Sequence, residues 1–153
     1  MKSEYINPFI KATQKAFREL MHVETKPGSP LLFEAARDYL EVTAIIGLAG
    51  EVTGAVILSF PSESCLRISR AFTGIQSDAV DDVAVDAVGE VVNVIAGNTK
   101  EDLLQFRIYI SLPKVVFGQY DLRFPRDTPM IAVPFESDAG SFRLIVALKE
   151  SPG

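Results

Sequence analysis

A stretch of fifteen residues in the middle of the chain, 83–97, is apolar except for Asp86, Glu90 and Asn93. These three residues are spaced i, i+4 and i+7, and Gly97 follows at i+11. On an α-helix the four positions lie within roughly 60° of one another, because successive residues are about 100° apart. The rest of the stretch is mostly valine, and a helical surface that apolar is buried in a folded protein. The pattern therefore predicts a buried helix with one narrow polar stripe, and we call these four positions the polar stripe.

Two further helices are predicted from apolar residues at helical spacing and from helix-end signals. The first has Asn7 as its N-cap and Pro8 in its first turn, and it runs to about Met21. The second begins at Pro61 and ends at Gly74, because glycine readily adopts the left-handed conformation that closes many helices. Both helices precede the helix of the polar stripe.

The ends of the stripe helix are marked by acidic residues and by glycine. Asp78 is the predicted N-cap, and Asp81 and Asp82 lie in the first turn, where the helix dipole favours negative charge. Two C-terminal ends are compatible with the pattern. The helix either stops at residues 97–98 or continues towards Leu104.

The remaining apolar segments are rich in β-branched residues and come in adjacent pairs. Turns are predicted at residues 49–50 and 137–140, where glycine and small polar residues cluster. Adjacent pairs of strands are typical of an antiparallel sheet. The predicted fold class is therefore α+β (mixed α/β), an antiparallel β-sheet packed against long helices. The predicted strands are 31–34, 39–48, 52–60, 106–112, 115–120, 130–135 and 142–148.

The composition indicates a globular protein with one domain, residues 1–153. Hydrophobic residues make up 48% of the chain, which argues against a disordered protein. The net charge of −5 and the lack of a basic run argue against a general nucleic-acid binder. No apolar stretch reaches the length of a membrane span, and the N-terminus has no signal-peptide core. The single cysteine, Cys65, cannot form an internal disulfide, so we expect a cytoplasmic protein.

Several kinds of catalytic motif are missing from the sequence. It contains neither a G-x-G-x-x-G motif nor a P-loop. His22 is the only histidine, and nothing around it indicates a Ser-His-Asp triad. Cys65 lies in the second helix, where a buried apolar role is more common than a reactive one. Asp81, Asp82, Asp86 and Glu90 are acidic neighbours, but the helix dipole explains the first two without a metal ion.

The polar stripe has two interpretations at this point. Any helix that packs on a sheet shows a polar edge to water, and patterning alone favours this explanation. Two details favour a binding surface instead. Asn93 is a poor helix former, and Gly89 and Gly97 each weaken a helix by about 1 kcal/mol relative to alanine. Such residues in one helix indicate close approach by a partner or by a neighbouring element.

The stripe helix resembles the signature of the CheC/CheX/FliY phosphatases of bacterial chemotaxis. The resemblance rests on DAVGEVVNVIAGNTKEDL, residues 86–103, with its E-x-x-N core at Glu90 and Asn93. Three further segments resemble parts of the same family, namely INPFIKAT, YLEVTAIIGLAGEVTGAVILSF and ISLPKVVFG. The second helix, PSESCLRISRAFTG, carries no E-x-x-N pair. This favours the CheX branch, with one motif, over CheC, which typically has two.

This resemblance implies a fold, an activity and partners. The implied fold is a mixed α/β domain with long helices on an antiparallel sheet. The implied activity is removal of phosphate from the aspartyl phosphate of a CheY-type response regulator, here called the receiver. The receiver brings its own lysine and Mg²⁺, so we expect this chain to bind no cofactor or metal of its own. CheX proteins are typically homodimers joined through sheet edges, and we expect no membrane or nucleic-acid partner.

The resemblance also implies roles for the polar stripe. Asn93 would orient the attacking water and Glu90 would form an ion pair with the receiver lysine, while Asp86 and Gly97 would lie near the contact. Ras-type GTPases use a glutamine to orient water in a similar way. Two other functions stay open. One is a module that binds a receiver or a flagellar component without hydrolysis, and the other is a structural dimer in which the stripe is a solvated edge.

Overall fold

The strands that the structure describes all lie in one antiparallel sheet, and three helices pack on one of its faces. The computed structural model describes residues 3–32, 39–125 and 127–151. Its helices are α1 (Ser3–Met21), α2 (Ser62–Thr73) and α3 (Asp82–Asp102). Its strands are β1 (Thr25–Pro27), β2 (Leu31–Leu32), β3 (Val42–Gly50), β4 (Val52–Phe60), β5 (Ile108–Ile110), β6 (Lys114–Phe117), β7 (Met130–Ser137) and β8 (Phe142–Glu150). The α+β fold class predicted from the sequence is confirmed.

The strand order of the sheet is β1-β7-β8-β4-β3-β5, with β2 also pairing with β7 and β6 also pairing with β3. Two hairpins, β3-β4 and β7-β8, meet in the middle, where β4 pairs with β8 from Val52 to Ser59. Short strands therefore occupy both edges, β1 and β2 on one side and β5 and β6 on the other. An edge strand presents backbone groups that are open to pairing with another sheet.

The two faces of the sheet are covered by different parts of the chain. Val56 of β4 points towards the helices and is fully buried in the main core. Ile57 and Ile145 point the other way and are fully buried in a smaller cluster. Tyr39 and Phe124, which lie outside the sheet, pack on this smaller cluster. Because both faces of the central strands are covered, their sequences are continuous apolar runs.

Helix α1 begins five residues earlier than predicted. The prediction of Asn7 as N-cap is wrong, because the helix starts at Ser3 and contains Pro8. Packing explains the difference, since Ile6 is buried in the core and the extra turn adds apolar contact. Pro8 is tolerated so near the helix start because its fixed φ suits a helix. Its missing N–H removes one hydrogen bond, the one that the carbonyl of Glu4 would accept.

Helix α3 also differs from the prediction at its start. Its N-cap is Asp81, whose carboxylate accepts a 3.0 Å hydrogen bond from the N–H of Ala84, so the prediction of Asp78 is wrong. At its other end the helix passes through Gly97 and reaches Asp102, which confirms the longer of the two predicted alternatives. The reason is that buried residues continue beyond Gly97, so packing on the core outweighs the low helix propensity of glycine.

The predicted hairpins are confirmed, and several strands are shorter than predicted. β3 starts at Val42 instead of residue 39. β5 and β6 lie on either side of Pro113, which has no N–H to donate to the sheet. β1 is not predicted, because Pro27 marks a break in the sequence, yet an edge strand accommodates proline. Of the predicted strand 31–34, the first two residues form β2 and the last two lie outside the described residues.

Candidate active site

Helix α3 is packed on most of its circumference and leaves one face open. It contacts α1 and α2 as well as β3, β4, β5 and β6. Asp81 caps its first turn, and at its end the N–H of Leu103 donates to the carbonyl of Thr99 at 3.1 Å. Its buried residues are Ala84, Ala87, Val88, Gly89, Val91, Val92, Ile95, Ala96 and Thr99. This packing determines which side chains α3 can present to a partner.

The structure brings the four positions of the polar stripe together on this open face. Asp86 and Glu90 are exposed, and Asn93 and Gly97 are half-buried. Glu90 and Asn93 are three residues apart, so their side chains are neighbours on the helix surface. Within the described residues, Glu90 forms no side-chain hydrogen bond and no ion pair. Its carboxylate is therefore available to a cation on another protein.

The edge of the sheet borders the stripe on the side of Asn93. Pro113 and Val115 lie beside Gly89, close enough that a methyl group added there would contact both. Gly89 lies one turn before Asn93 on the same side of α3. Asn93 is half-buried, whereas Glu90 is exposed. A half-buried carboxamide has fewer accessible rotamers than an exposed one, so Asn93 is partly preorganised before any partner binds.

The two glycines of α3 have different surroundings. A methyl group added at Gly89 would lie 3.7 Å from Cβ of Pro113 and from Cγ2 of Val115, an ordinary contact distance. A methyl group added at Gly97 would have no atom within 4 Å. The fold itself requires glycine at neither position. The space beside Gly97 opens on the polar stripe, where it is available to a partner.

The N-terminal half of α3 carries a local excess of negative charge. Asp81 is followed by Asp86 and Glu90 along the helix. The pKa of Asp81 is held below its usual range, chiefly because its carboxylate accepts a hydrogen bond from the N–H of Ala84. The cap therefore stabilises α3 above the ordinary pKa of aspartate, and this stabilisation is lost as the pH falls through the lowered value. At neutral pH the acidic end of α3 favours a positively charged partner group.

The other reactive side chains give no competing site. His22 is exposed at the end of α1, and Cys65 is completely buried. Burial raises the pKa of the Cys65 thiol to about 11, so it is protonated and unreactive at neutral pH. Among the described residues, no three histidine, cysteine or carboxylate side chains are grouped to hold a metal ion. Nor does that part of the chain contain a helix with the length and apolar character of a membrane span.

The prediction of a single E-x-x-N motif is wrong, because helix α1 contains the same spacing at Glu4 and Asn7. Glu4 and Asn7 are three residues apart, and both are exposed. The two helices differ one turn beyond the asparagine. α3 has Gly97 at that position and open space beside it, whereas α1 has the exposed side chain of Lys11. A long cationic side chain there opposes close approach of the kind that Gly97 permits. A scan of every helix for the spacing would have found the pair.

The fold and the stripe together define an α+β protein with an E-x-x-N helix on an antiparallel sheet. A model of the family described as chemotaxis phosphatase CheX matches residues 42–136. The chain belongs to this family. The matched region contains the whole polar stripe and does not include Glu4 and Asn7.

Relatives with similar sequences and structures carry the same family name. A Thermotoga maritima protein described as CheY-P phosphatase CheX is 28% identical over 137 residues, which cover 88% of each chain. The crystal structure of CheX from Desulfovibrio desulfuricans has a TM-score of 0.87 and 25% identity, covering 95% of this chain and 99% of that one. The CheX-CheY-BeF3-Mg²⁺ complex from Borrelia burgdorferi has a TM-score of 0.83 and 28% identity, covering 95% and 98%.

Proposed function

We propose that this protein hydrolyses the aspartyl phosphate of a phosphorylated CheY-type receiver. The observation that carries the proposal is the pair of Glu90 and Asn93, which lie together on the open face of α3 inside the region matched by the family. Two relatives support it. The Thermotoga maritima protein is described as a CheY-P phosphatase, and the Borrelia burgdorferi protein forms a complex with CheY.

Asn93 is the residue that orients water in this proposal. Its carboxamide oxygen accepts a hydrogen bond from the attacking water, and its amide group donates to a phosphoryl oxygen. The water oxygen forms a new bond to phosphorus while the bond to the aspartyl oxygen breaks. The electron pair of that bond stays on the carboxylate, and the protons of the water leave with the inorganic phosphate. The transition state of phosphoryl transfer is loose, so positioning matters more than a strong base. This explains how a chain without a catalytic histidine can act.

Glu90 is the docking residue in this proposal. One turn from Asn93, its unpaired carboxylate forms an ion pair with the lysine of the receiver. The pair aligns α3 with the phosphoryl group and so places Asn93 in line with the bond that breaks. Asp86 and Gly97 lie at the edges of the same contact. The Mg²⁺ belongs to the receiver, and the proposal requires no metal ligand from this chain. The proposed function also places the protein in the cytoplasm. A free, buried cysteine is consistent with that reducing compartment.

Turnover with receiver in large excess distinguishes this enzyme from a module that only binds. An enzyme releases phosphate from the whole pool of phosphorylated receiver, because each molecule acts many times. A module that only binds does not speed up the hydrolysis of the receiver phosphate. It leaves the intrinsic rate unchanged or slows hydrolysis in the fraction of receiver that it binds. Phosphate release without turnover would therefore overturn the proposal, and the binding alternative would take its place.

Substitution of Gly97 should raise the stability of the protein and weaken its affinity for the receiver. We expect Gly97→Ala to raise the free energy of unfolding by about 1 kcal/mol, because alanine is the better helix former and its methyl group meets no atom within 4 Å. The same methyl group should overpack the receiver contact and weaken affinity about tenfold. Thermal unfolding and receiver titration measure the two effects.

Gly89→Ala is the matched control for Gly97→Ala. Its methyl group contacts Pro113 and Val115 at 3.7 Å, so it should give a similar gain in stability with little change in affinity. Equal affinities for wild type and Gly97→Ala would contradict close approach of the receiver at Gly97.

Dimerisation is a separate prediction. We propose that two copies join through edge strands, because an open antiparallel sheet leaves unpaired backbone groups at both edges. Sedimentation at micromolar concentration should give twice the mass of the chain. A monomer at that concentration would refute the prediction without affecting the assignment of Glu90 and Asn93.

A further inference from the structure

Lys100 is the only basic residue in α3, a helix that also carries the carboxylates of Asp82, Asp86, Glu90, Glu101 and Asp102. Lys100 is exposed, and within the described residues it forms no ion pair and no side-chain hydrogen bond. The positions that neighbour it on the helix surface, three and four residues away, hold Ala96, Gly97, Leu103 and Leu104. None of these is acidic, so α3 itself supplies no ion-pair partner for Lys100.

Helix geometry places Lys100 in line with Asn93. Lys100 follows Asn93 by seven residues, which puts the two within roughly 20° of each other around the helix axis and roughly 10 Å apart along it. Glu101 falls within roughly 20° of Glu90 instead, and residues next to each other in sequence do not face each other on a helix. Lys100 therefore extends the row of Asn93 by a cation, one turn beyond Gly97.

Packing fixes the backbone at Lys100. Lys100 lines a small cavity together with residues from α1, β3 and β5, among them Phe9, Leu48 and Ile108. Thr99 and Leu103, on either side of it, are buried. The C-terminal end of α3 is thus held against α1 and the sheet. Little backbone ordering is then needed when a partner group meets Lys100, which favours binding.

A receiver that docks on Glu90 and Asn93 also covers Lys100. Even a small protein–protein interface buries roughly 600 Å² on each partner, which corresponds to a patch about 28 Å across. Lys100 lies well inside such a patch when it is centred on the polar stripe. A lysine that is covered without a partner loses its hydration and opposes binding, whereas a carboxylate opposite to it offsets this cost.

We propose that Lys100 belongs to the receiver-binding surface and selects receivers that place a carboxylate opposite to it. This inference rests on the proposed function. Glu90 and Lys100 are roughly 15 Å apart along α3, so the receiver presents its lysine and an acidic side chain at a similar separation. A receiver with lysine or arginine in the second position is rejected by like-charge repulsion. Lys100 touches no reacting atom in this arrangement and acts on affinity alone.

The first experiment measures affinity for the receiver that this protein dephosphorylates, trapped with beryllofluoride and Mg²⁺. Lys100→Gln should weaken binding about fivefold and Lys100→Glu about thirtyfold, because the second change adds repulsion to the loss of the ion pair. Lys100→Arg keeps the charge and should bind nearly as wild type. Lys26→Gln is the matched control. It removes one exposed positive charge from β1, at the opposite edge of the sheet from β5, and should change affinity less than about twofold.

The second experiment exchanges the two charges across the contact. Exposed carboxylates around the phosphorylation site of the receiver are changed to lysine, one at a time. One such receiver should bind the wild-type protein weakly and bind Lys100→Glu with close to the original affinity, because the exchanged pair restores the attraction. If no exchange improves on the affinity of Lys100→Glu for the unchanged receiver, the proposed pairing is overturned.

A purely structural role for Lys100 is the alternative that these measurements separate. A lysine in the last turn of a helix interacts favourably with the helix dipole. If that were its whole role, Lys100→Gln would lower the melting temperature and keep wild-type affinity. This result, with Asn93→Ala inactive, would overturn the inference and leave the proposed function standing.

The rate of hydrolysis gives a further check. With Lys100→Gln at saturating concentration, the lifetime of the receiver phosphate should equal that measured with wild type, because the substitution affects affinity and not the reacting groups. A longer lifetime at saturation would place Lys100 in the hydrolysis step and overturn its assignment to binding alone. Wild-type activity for Asn93→Ala would instead defeat the proposed function itself.

Discussion

Asn93→Ala should lose about 10²–10³ of the rate of phosphate release and retain affinity for the receiver. The rate falls because no other side chain of the polar stripe combines a hydrogen-bond acceptor for water with a donor for the phosphoryl oxygen. Affinity should persist because, in the proposed function, Glu90 still makes the docking contact. Asn93 is half-buried on the open face of α3, so the substitution should leave the fold intact. The measurement is the lifetime of the receiver phosphate at saturating concentrations of each variant.

The chain supplies its own control for this prediction. Asn7→Ala removes an exposed asparagine from a helix at the same spacing from a glutamate, Glu4. We expect it to leave the rate unchanged, because Lys11 stands where α3 has Gly97. Loss of activity in Asn7→Ala would show a second site on α1. An Asn93→Ala variant that works within a few-fold of wild type would refute the role of Asn93.

Glu90→Lys should weaken binding of the phosphorylated receiver by about 2–5 kcal/mol, or roughly thirtyfold to several thousandfold. In the proposed function, the substitution replaces an ion pair with the receiver lysine by repulsion between two positive charges at the interface. Glu90→Gln keeps the size of the side chain and removes the charge, so it should have a smaller effect. Both changes should appear mainly as faster dissociation. Binding kinetics with the receiver in its beryllofluoride form measure this.

Glu19→Lys is the control for net charge. Glu19 is exposed on α1, and its substitution changes the charge of the protein by the same amount as Glu90→Lys. If the two variants bind equally well, Glu90 does not face the receiver lysine. The interpretation of the polar stripe as a solvated edge would then be favoured.

The polar stripe is predictable from the sequence because helical periodicity is a local property. Glu90 and Asn93 fall on one face whatever surrounds the helix. The position of the N-cap is less certain from sequence, since Asp78 and Asp81 both precede the same apolar run. Only the structure shows that Asp81 accepts the N–H of Ala84. The early start of α1 depends on burial of Ile6 against distant residues, which no local signal records.

The sheet edge beside the polar stripe cannot be predicted from the sequence, for a related reason. Pro113 lies beside Gly89 because β6 pairs with β3, and these two strands are far apart in the chain. Nothing local to Pro113 indicates that it lies beside the helix of the polar stripe. Contacts that depend on the order of strands in a sheet require the fold.

The most direct test of the central claim is the lifetime of phosphate on each receiver of the same organism, measured with and without the wild-type protein. The proposed function predicts that the lifetime of at least one phosphorylated receiver falls at least about tenfold, and that Asn93→Ala restores it. If every receiver lost its phosphate at the same rate with the protein as without it, the protein would not be a receiver phosphatase.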